Sequence, residues 1–262
     1  MSIVVSLKDF GGMILRFPLV VRLASDDVHG RYRRTALGPL WIVLAQAGMI
    51  LGLTLVFGGL LGQDPREFVL FVACGVPIWA LISSYLADMP GVFIQSRGWV
   101  EAYQLPWTIQ IMRRSVGYFL TFAHQMVTFV LVMLVQQIAP TSAMLWAAPG
   151  LALVFIAGTS LGVIMAIAGA RFRDLQPAMT VISGFLFIMT PVFWQRSGLA
   201  ANTFVVDYNP FYYFLEIVRG PLLGQSVPVA HWIGAGVGAA TLLFLAIVVF
   251  AASRKRLYHW MS

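Results

Sequence analysis

One cysteine, Cys74, stands in the whole 262-residue chain, and it lies inside an apolar run. That excludes a disulfide framework and a cysteine-based metal site. Charge is sparse as well: 10% of residues are charged, against about a quarter in an ordinary soluble domain. With 60% apolar residues and a mean hydropathy of +0.85, the composition excludes a soluble globular domain. No GxxxxGK(S/T) motif occurs, so the chain has no P-loop with which to hydrolyse ATP itself. No HExxH occurs either, and His29, His124, His231 and His259 are scattered, which argues against a metal site. A cleavable signal is not expected, because Lys8, Asp9 and Arg16 interrupt the apolar residues of the N-terminus. There is no internal repeat and no low-complexity linker. Residues 1–262 read as one membrane domain.

What is present is a set of long apolar stretches. About 20 apolar residues span a bilayer, since a rise of about 1.5 Å per residue must cross roughly 30 Å of hydrocarbon. Leu37–Leu61, Phe68–Ala87, Ser115–Ile138, Met144–Ala170, Ala178–Trp194 and Trp232–Ser253 are the six predicted spans. The fifth is the shortest, and His124 and Gln125 are polar insertions in the third. Fourteen of the 17 Lys and Arg residues fall in alternate gaps: before the first span, between the second and third, between the fourth and fifth, and after the sixth. Cytoplasmic flanks retain Lys and Arg, so both termini are expected in the cytoplasm. The formal charge of +7 therefore suits anionic lipid headgroups, and nucleic acid is not expected as a partner. The spans contain no Asp, Glu, Lys or Arg, whereas ion-coupled carriers need such groups near mid-membrane. Any energy for transport must then come from a partner.

Two segments fit neither spans nor short loops. Residues 1–36 precede the first span, and Ile3, Leu7, Phe10, Ile14 and Phe17 recur on one helical face. They predict an amphipathic helix lying in the cytoplasmic interface, broken or redirected by Pro18. The external Gln195–Ala230 carries Tyr208-Asn209-Pro210-Phe211-Tyr212-Tyr213-Phe214, but Glu216 and Arg219 spoil it as a span. It predicts a pair of short re-entrant helices before the sixth span. The fold class is thus an all-α integral membrane protein, with residues 37–253 as the six-span region and 254–262 as a cytoplasmic tail.

Three cytoplasmic segments carry more specific information. They are Arg31-Tyr32-Arg33-Arg34-Thr35-Ala36-Leu37-Gly38-Pro39-Leu40-Trp41, then Gln95–Pro106, then Ala170-Arg171-Phe172-Arg173-Asp174-Leu175. The first and third, together with the external Asn209–Gly224 and in this order among six spans, resemble the permease subunit of ABC exporters for polysaccharides: the O-antigen, capsule and teichoic-acid group. The resemblance covers essentially the whole chain, and the O-antigen branch fits best.

The resemblance implies a bacterial inner-membrane protein working as two permease copies with two ATPase subunits, the latter holding ATP and Mg. This chain would need no cofactor, and a lipid-linked polysaccharide would pass between the two permeases. Ser96–Leu105 corresponds to the helix that inserts into a cleft of the ATPase. There Arg97 and Glu101 would make polar contacts, and Trp99 and Tyr103 would supply buried anchors. The competing reading of Trp99 and Tyr103 is an aromatic belt at headgroup level. Leu37-Gly38 matches a loop at the cytoplasmic entrance, where glycine permits close backbone approach. Arg31, Arg33 and Arg34 precede it, and guanidinium groups suit the diphosphate of a lipid-linked glycan; plain topology anchoring is the alternative. Tyr208, Phe211, Tyr212, Tyr213 and Phe214 are candidate exit aromatics that stack on sugar faces, with helix packing as the alternative for each. Between spans four and five, Asp174 is expected to pair with Arg171 or Arg173.

Two other functions compete. One is an exporter of another substrate: capsule, teichoic acid, lipid or drug. The other, an integral membrane glycosyltransferase, would need carboxylates or histidines gathered at one membrane face. Asp207 and Glu216 are the only acidic pair in the outer loop and have no such support.

Overall fold

The computed structural model of the chain describes residues 16–103, 106–195, 204–253, 256–257 and 260. Among these, every regular element is helical: α1 (Phe17–Tyr32), α2 (Leu40–Leu60), α3 (Pro65–Ala87), α4 (Val92–Tyr103), α5 (Trp107–Val135), α6 (Ala147–Arg171), α7 (Leu175–Met189), α8 (Phe204–Asp207), α9 (Pro210–Leu222) and α10 (Val229–Ser253). Short 3₁₀ turns at Met89–Gly91 and Ser142–Trp146 lead into α4 and α6. Five helical segments, containing α2, α3, α5, α6 and α10, are long and apolar enough to cross a membrane. α7, the helix of the fifth predicted span, is apolar but has 15 residues. At 1.5 Å per residue it rises about 22 Å, short of roughly 30 Å of hydrocarbon. It stops there because Pro191 forces Thr190 into an extended conformation.

Pro18 lies in the first turn of α1, where its missing N–H costs nothing; the segment it was expected to break or redirect lies outside the described residues. Of the amphipathic face, Phe17 is described and exposed, while Ile3, Leu7, Phe10 and Ile14 lie outside the described residues. α1 buries Val20 and Ala24 against Ile109, Met112 and Val116 of α5, a small core separate from the main one. α5 begins at Trp107 instead of Ser115. Arg113 and Arg114 therefore belong to its first turns and leave the preceding gap.

The main core is centred on α3 and α6. α3 is launched by Asp64, whose Oδ1 accepts from the backbone N–H of Arg66 at 2.8 Å and of Glu67 at 3.3 Å. α6 is apolar all round and surrounded by α3, α9 and α10. Its glycines let neighbours approach the backbone. A Cβ at Gly158 would enter the Tyr85 ring, and one at Gly169 would fall on the Pro90 carbonyl. Gly169→Ala is therefore expected to destabilise the protein by about 1–3 kcal/mol, because backbone must move. Gly184→Ala on α7, with nothing within 4 Å of the new methyl, should be neutral or stabilising. Thermal unfolding of the two purified variants in detergent checks the contrast.

Candidate functional site

At the arginine-rich end of the bundle, α1, α4 and the start of α5 enclose a polar cavity of about 340 Å³. Arg113 is its keystone. Its Nε donates to Asp27 Oδ2 at 2.7 Å and its Nη2 to Asp27 Oδ1 at 2.5 Å, a bidentate pair between α5 and α1. The same guanidinium lies over the Trp99 ring of α4, 5.3 Å from its centroid. One side chain thus joins three helices. Next to it, Arg114 Nη2 donates to Gln95 Oε1 of α4 at 2.6 Å.

The predicted coupling residues divide across α4. Trp99 is 44% exposed and lines the cavity, and Arg97 is half-buried. Glu101 and Tyr103 belong to α4, but their side chains lie outside the described residues. α4 begins at Val92, before the expected Ser96, and ends at Tyr103. Val100, the next residue along α4, is buried with the main core.

The predicted diphosphate residues separate as well. Arg31 ends α1 and reaches the cavity, while Arg33 and Arg34 sit in the following turn, exposed and outside it. Leu37 is exposed. Gly38 has φ +56°, a left-handed backbone that favours glycine, and a methyl added there would meet nothing of this chain within 4 Å. Between α6 and α7, Arg171 lies over the rings of Phe172 and Trp260, each 5.4 Å from the centroid. Among the described residues no ion pair involves Asp174, contrary to the expectation; backbone bonds Phe172 N to Ala168 O (2.8 Å) and Leu175 N to Phe172 O (3.1 Å) make the turn.

At the opposite end, the aromatic run forms α9 with Tyr208 just before it. Asn209 caps α9 through Oδ1 to Phe211 N at 3.0 Å and donates from Nδ2 to Thr190 Oγ1 at 2.9 Å. Tyr208 is 75% exposed. Phe211 meets Trp79 edge-on at 6.1 Å, Tyr212 and Phe214 are buried, and the Tyr213 hydroxyl donates to Asp207 O at 2.6 Å. Beneath them Arg219 is almost fully buried. It pairs with Glu216, donates to Pro191 O at 2.6 Å, and lies 4.2 Å from the Phe71 ring centroid. Sequence reasoning missed Arg219, treating it as an interruption, and missed the Asp27–Arg113 pair. The available signal for the pair was an aspartate inside one basic flank and adjacent arginines in another.

Long apolar helices bundled around α6, with polar machinery gathered at one end, define a multi-pass membrane protein. The chain belongs to the ABC-2 type transporter family, whose model matches residues 19–223. It is a type-2 ABC permease, a membrane transport subunit, and permeases of this class work with an ABC ATPase partner. It is similar to a Myxococcus xanthus O-antigen export system permease protein RfbA, 24% identical over 248 residues covering 90% of this chain and 93% of the relative. A Klebsiella pneumoniae protein of the same name is 21% identical over 198 residues, covering 74% of this chain and 76% of the relative.

Proposed function

We propose that the chain is the membrane-spanning subunit of an ATP-driven exporter that carries a lipid-linked polysaccharide, O-antigen in the first instance, from cytoplasm to periplasm. The observation that carries the substrate is the likeness to O-antigen export permeases along 90% of the chain. In this reading α7, extended by Thr190–Trp194, completes six spans, α1 lies in the cytoplasmic interface, and α8 with α9 dips into the outer leaflet. The arginine-rich end then faces the cytoplasm of a bacterium, in keeping with retention of Arg at cytoplasmic flanks. Two copies of the chain pair with two ATPase subunits, and ATP and Mg belong to those subunits. α4, held on its inner side by Val100 and presenting Trp99 outward, is the segment we assign to the ATPase cleft, with Arg97, Glu101 and Tyr103 on the same helix. Leu37-Gly38 with Arg31, Arg33 and Arg34 forms the cytoplasmic entrance. Tyr208, the exposed member of the aromatic run, is the one we place at the exit; Phe211, Tyr212, Tyr213 and Phe214 support it from behind.

The glycosyltransferase alternative needs a free carboxylate, and Glu216 is already committed to Arg219. Deletion of the gene tests the proposal. Complete lipid-linked polymer should accumulate in the cytoplasm while surface polymer disappears. A cell that no longer makes the polymer would favour the enzyme, and a cell with normal surface polymer would favour another exported substrate.

A further inference from the structure

The cavity between α1, α4 and α5 holds more cationic donors than the protein itself satisfies. Its walls include Asp27, Arg31, Gln95, Gln110, Arg113 and Arg114. Asp27 is bound by Arg113, which among the described residues leaves Arg31 and Arg114 facing one further carboxylate, the exposed Asp88 at the end of α3. The Arg31 guanidinium makes no hydrogen bond with a described residue, and that of Arg114 makes one, to the neutral amide of Gln95. Gln110 is 3% exposed, yet its Nε2 has no partner. A second, smaller space shares Asp27, Arg31, Arg113 and Arg114 and adds Tyr118, a buried residue whose hydroxyl is also unpartnered. Leaving a buried amide or hydroxyl unsatisfied costs about 1–3 kcal/mol each, and two beside a pair of under-neutralised arginines call for an acceptor.

From this geometry we infer that the cavity is a phosphate-binding site, in which Arg31 and Arg114 hold a mono- or diphosphate group and the Gln110 amide donates to it. A phosphate oxygen accepts from all of these groups at once, and planar guanidinium donors match it bidentately. At about 340 Å³ the space is large enough for a phosphate group with bound water. The site retains Arg31 from the arginine cluster of the entrance, leaves out Arg33 and Arg34, and adds two residues of α5. Because Gln95 and Trp99 of α4 form one wall, a bound phosphate also touches the helix assigned to the ATPase. The inference needs neither a polysaccharide nor an ATPase, so it can fail or stand independently of the export reading.

The test uses the full-length permease purified in a phosphate-free maltoside detergent, with thermal unfolding as the readout. Sodium diphosphate is titrated at constant ionic strength, and dioctanoyl phosphatidic acid is compared with dioctanoyl glycerol. Wild type should be stabilised by diphosphate, by phosphatidic acid, or by both. Stabilisation by the lipid alone identifies a headgroup as the natural ligand, and by both, the phosphate group itself. Arg114→Gln and Gln110→Leu should each weaken the apparent affinity about tenfold or more, as expected for a lost hydrogen bond to a charged group. Arg22→Gln, at an exposed arginine of α1 that lines neither space, should bind as wild type. Gln110→Leu removes an unpartnered buried amide and keeps the volume, so it keeps the test alive if Arg114→Gln does not fold. No stabilisation of wild type by either probe, or equal binding by Gln110→Leu, overturns the inference.

Discussion

Arg219→Leu is expected to cost the permease about 3–5 kcal/mol and most of its folded yield. The guanidinium side chain is 4% exposed, and its partner Glu216 is 15% exposed. Removing the cation leaves that carboxylate buried and uncompensated. It also strips a donor from the Pro191 carbonyl and the face-on partner from Phe71. Pro191 and Val192 belong to the extended stretch after α7, so Arg219 ties this stretch to α9 and both to α3. The double variant Arg219→Leu/Glu216→Leu removes both charges together. Replacing a whole buried pair by apolar residues is often neutral or even stabilising, so the double should recover much of the loss. Unfolding temperatures of the wild type, both singles and the double give the coupling directly. A single Arg219→Leu as stable as wild type would show that the pair is solvated and structurally idle.

The same pair shows where sequence reasoning reaches its end. The apolar stretches were legible because 20 consecutive apolar residues admit few other readings, and five of them became long helices. α5 began early because Trp107–Met112 is apolar enough to continue the helix inward, while a span is bounded by its first charges, Arg113 and Arg114. Those charges mark where a bilayer must stop, not where a helix must. Gly38 was recognisable as a special glycine, but its reason, a positive φ in open space, depends on how Leu37–Pro39 turns the chain into α2. Arg219 and Glu216 are three apart on a helix, so their contact was readable in principle. Their burial was not, since it is made by α3 and the stretch after α7. Asp27 and Arg113 are 86 residues apart, and no local pattern announces a pair of that kind. Likewise, the aromatic run announced a special segment, yet only the packing of Phe211 on Trp79 and of Tyr213 on Asp207 separates Tyr208 from its neighbours.

Arg113→Gln should lower export at least about tenfold while the permease still folds and the ATPase still hydrolyses ATP. Arg113, on α5, contacts α1 through Asp27 and α4 through Trp99. If α4 receives the ATPase, a displacement of α4 reaches the other two helices through this guanidinium. Gln retains some length and polarity but loses the charge, the bidentate fork and the attraction to the indole face. The remaining small core of Val20, Ala24, Ile109, Met112 and Val116 keeps α1 on α5, so folding should survive. A change of about 1.4 kcal/mol in the coupling between two states is a tenfold change in their ratio. Loss of one bidentate charged pair, half-exposed at Asp27, is of that order. The swap Asp27→Arg/Arg113→Asp separates the two contacts: it can rebuild the ion pair but places a carboxylate against Trp99. Partial recovery of export by the swap would assign the coupling to the α1–α5 pair. No recovery, with Trp99→Leu as damaging as Arg113→Gln, would assign it to the α4 contact. Measured as substrate exported per ATP hydrolysed in reconstituted vesicles, an unchanged ratio in Arg113→Gln would show that the three helices move independently of this residue.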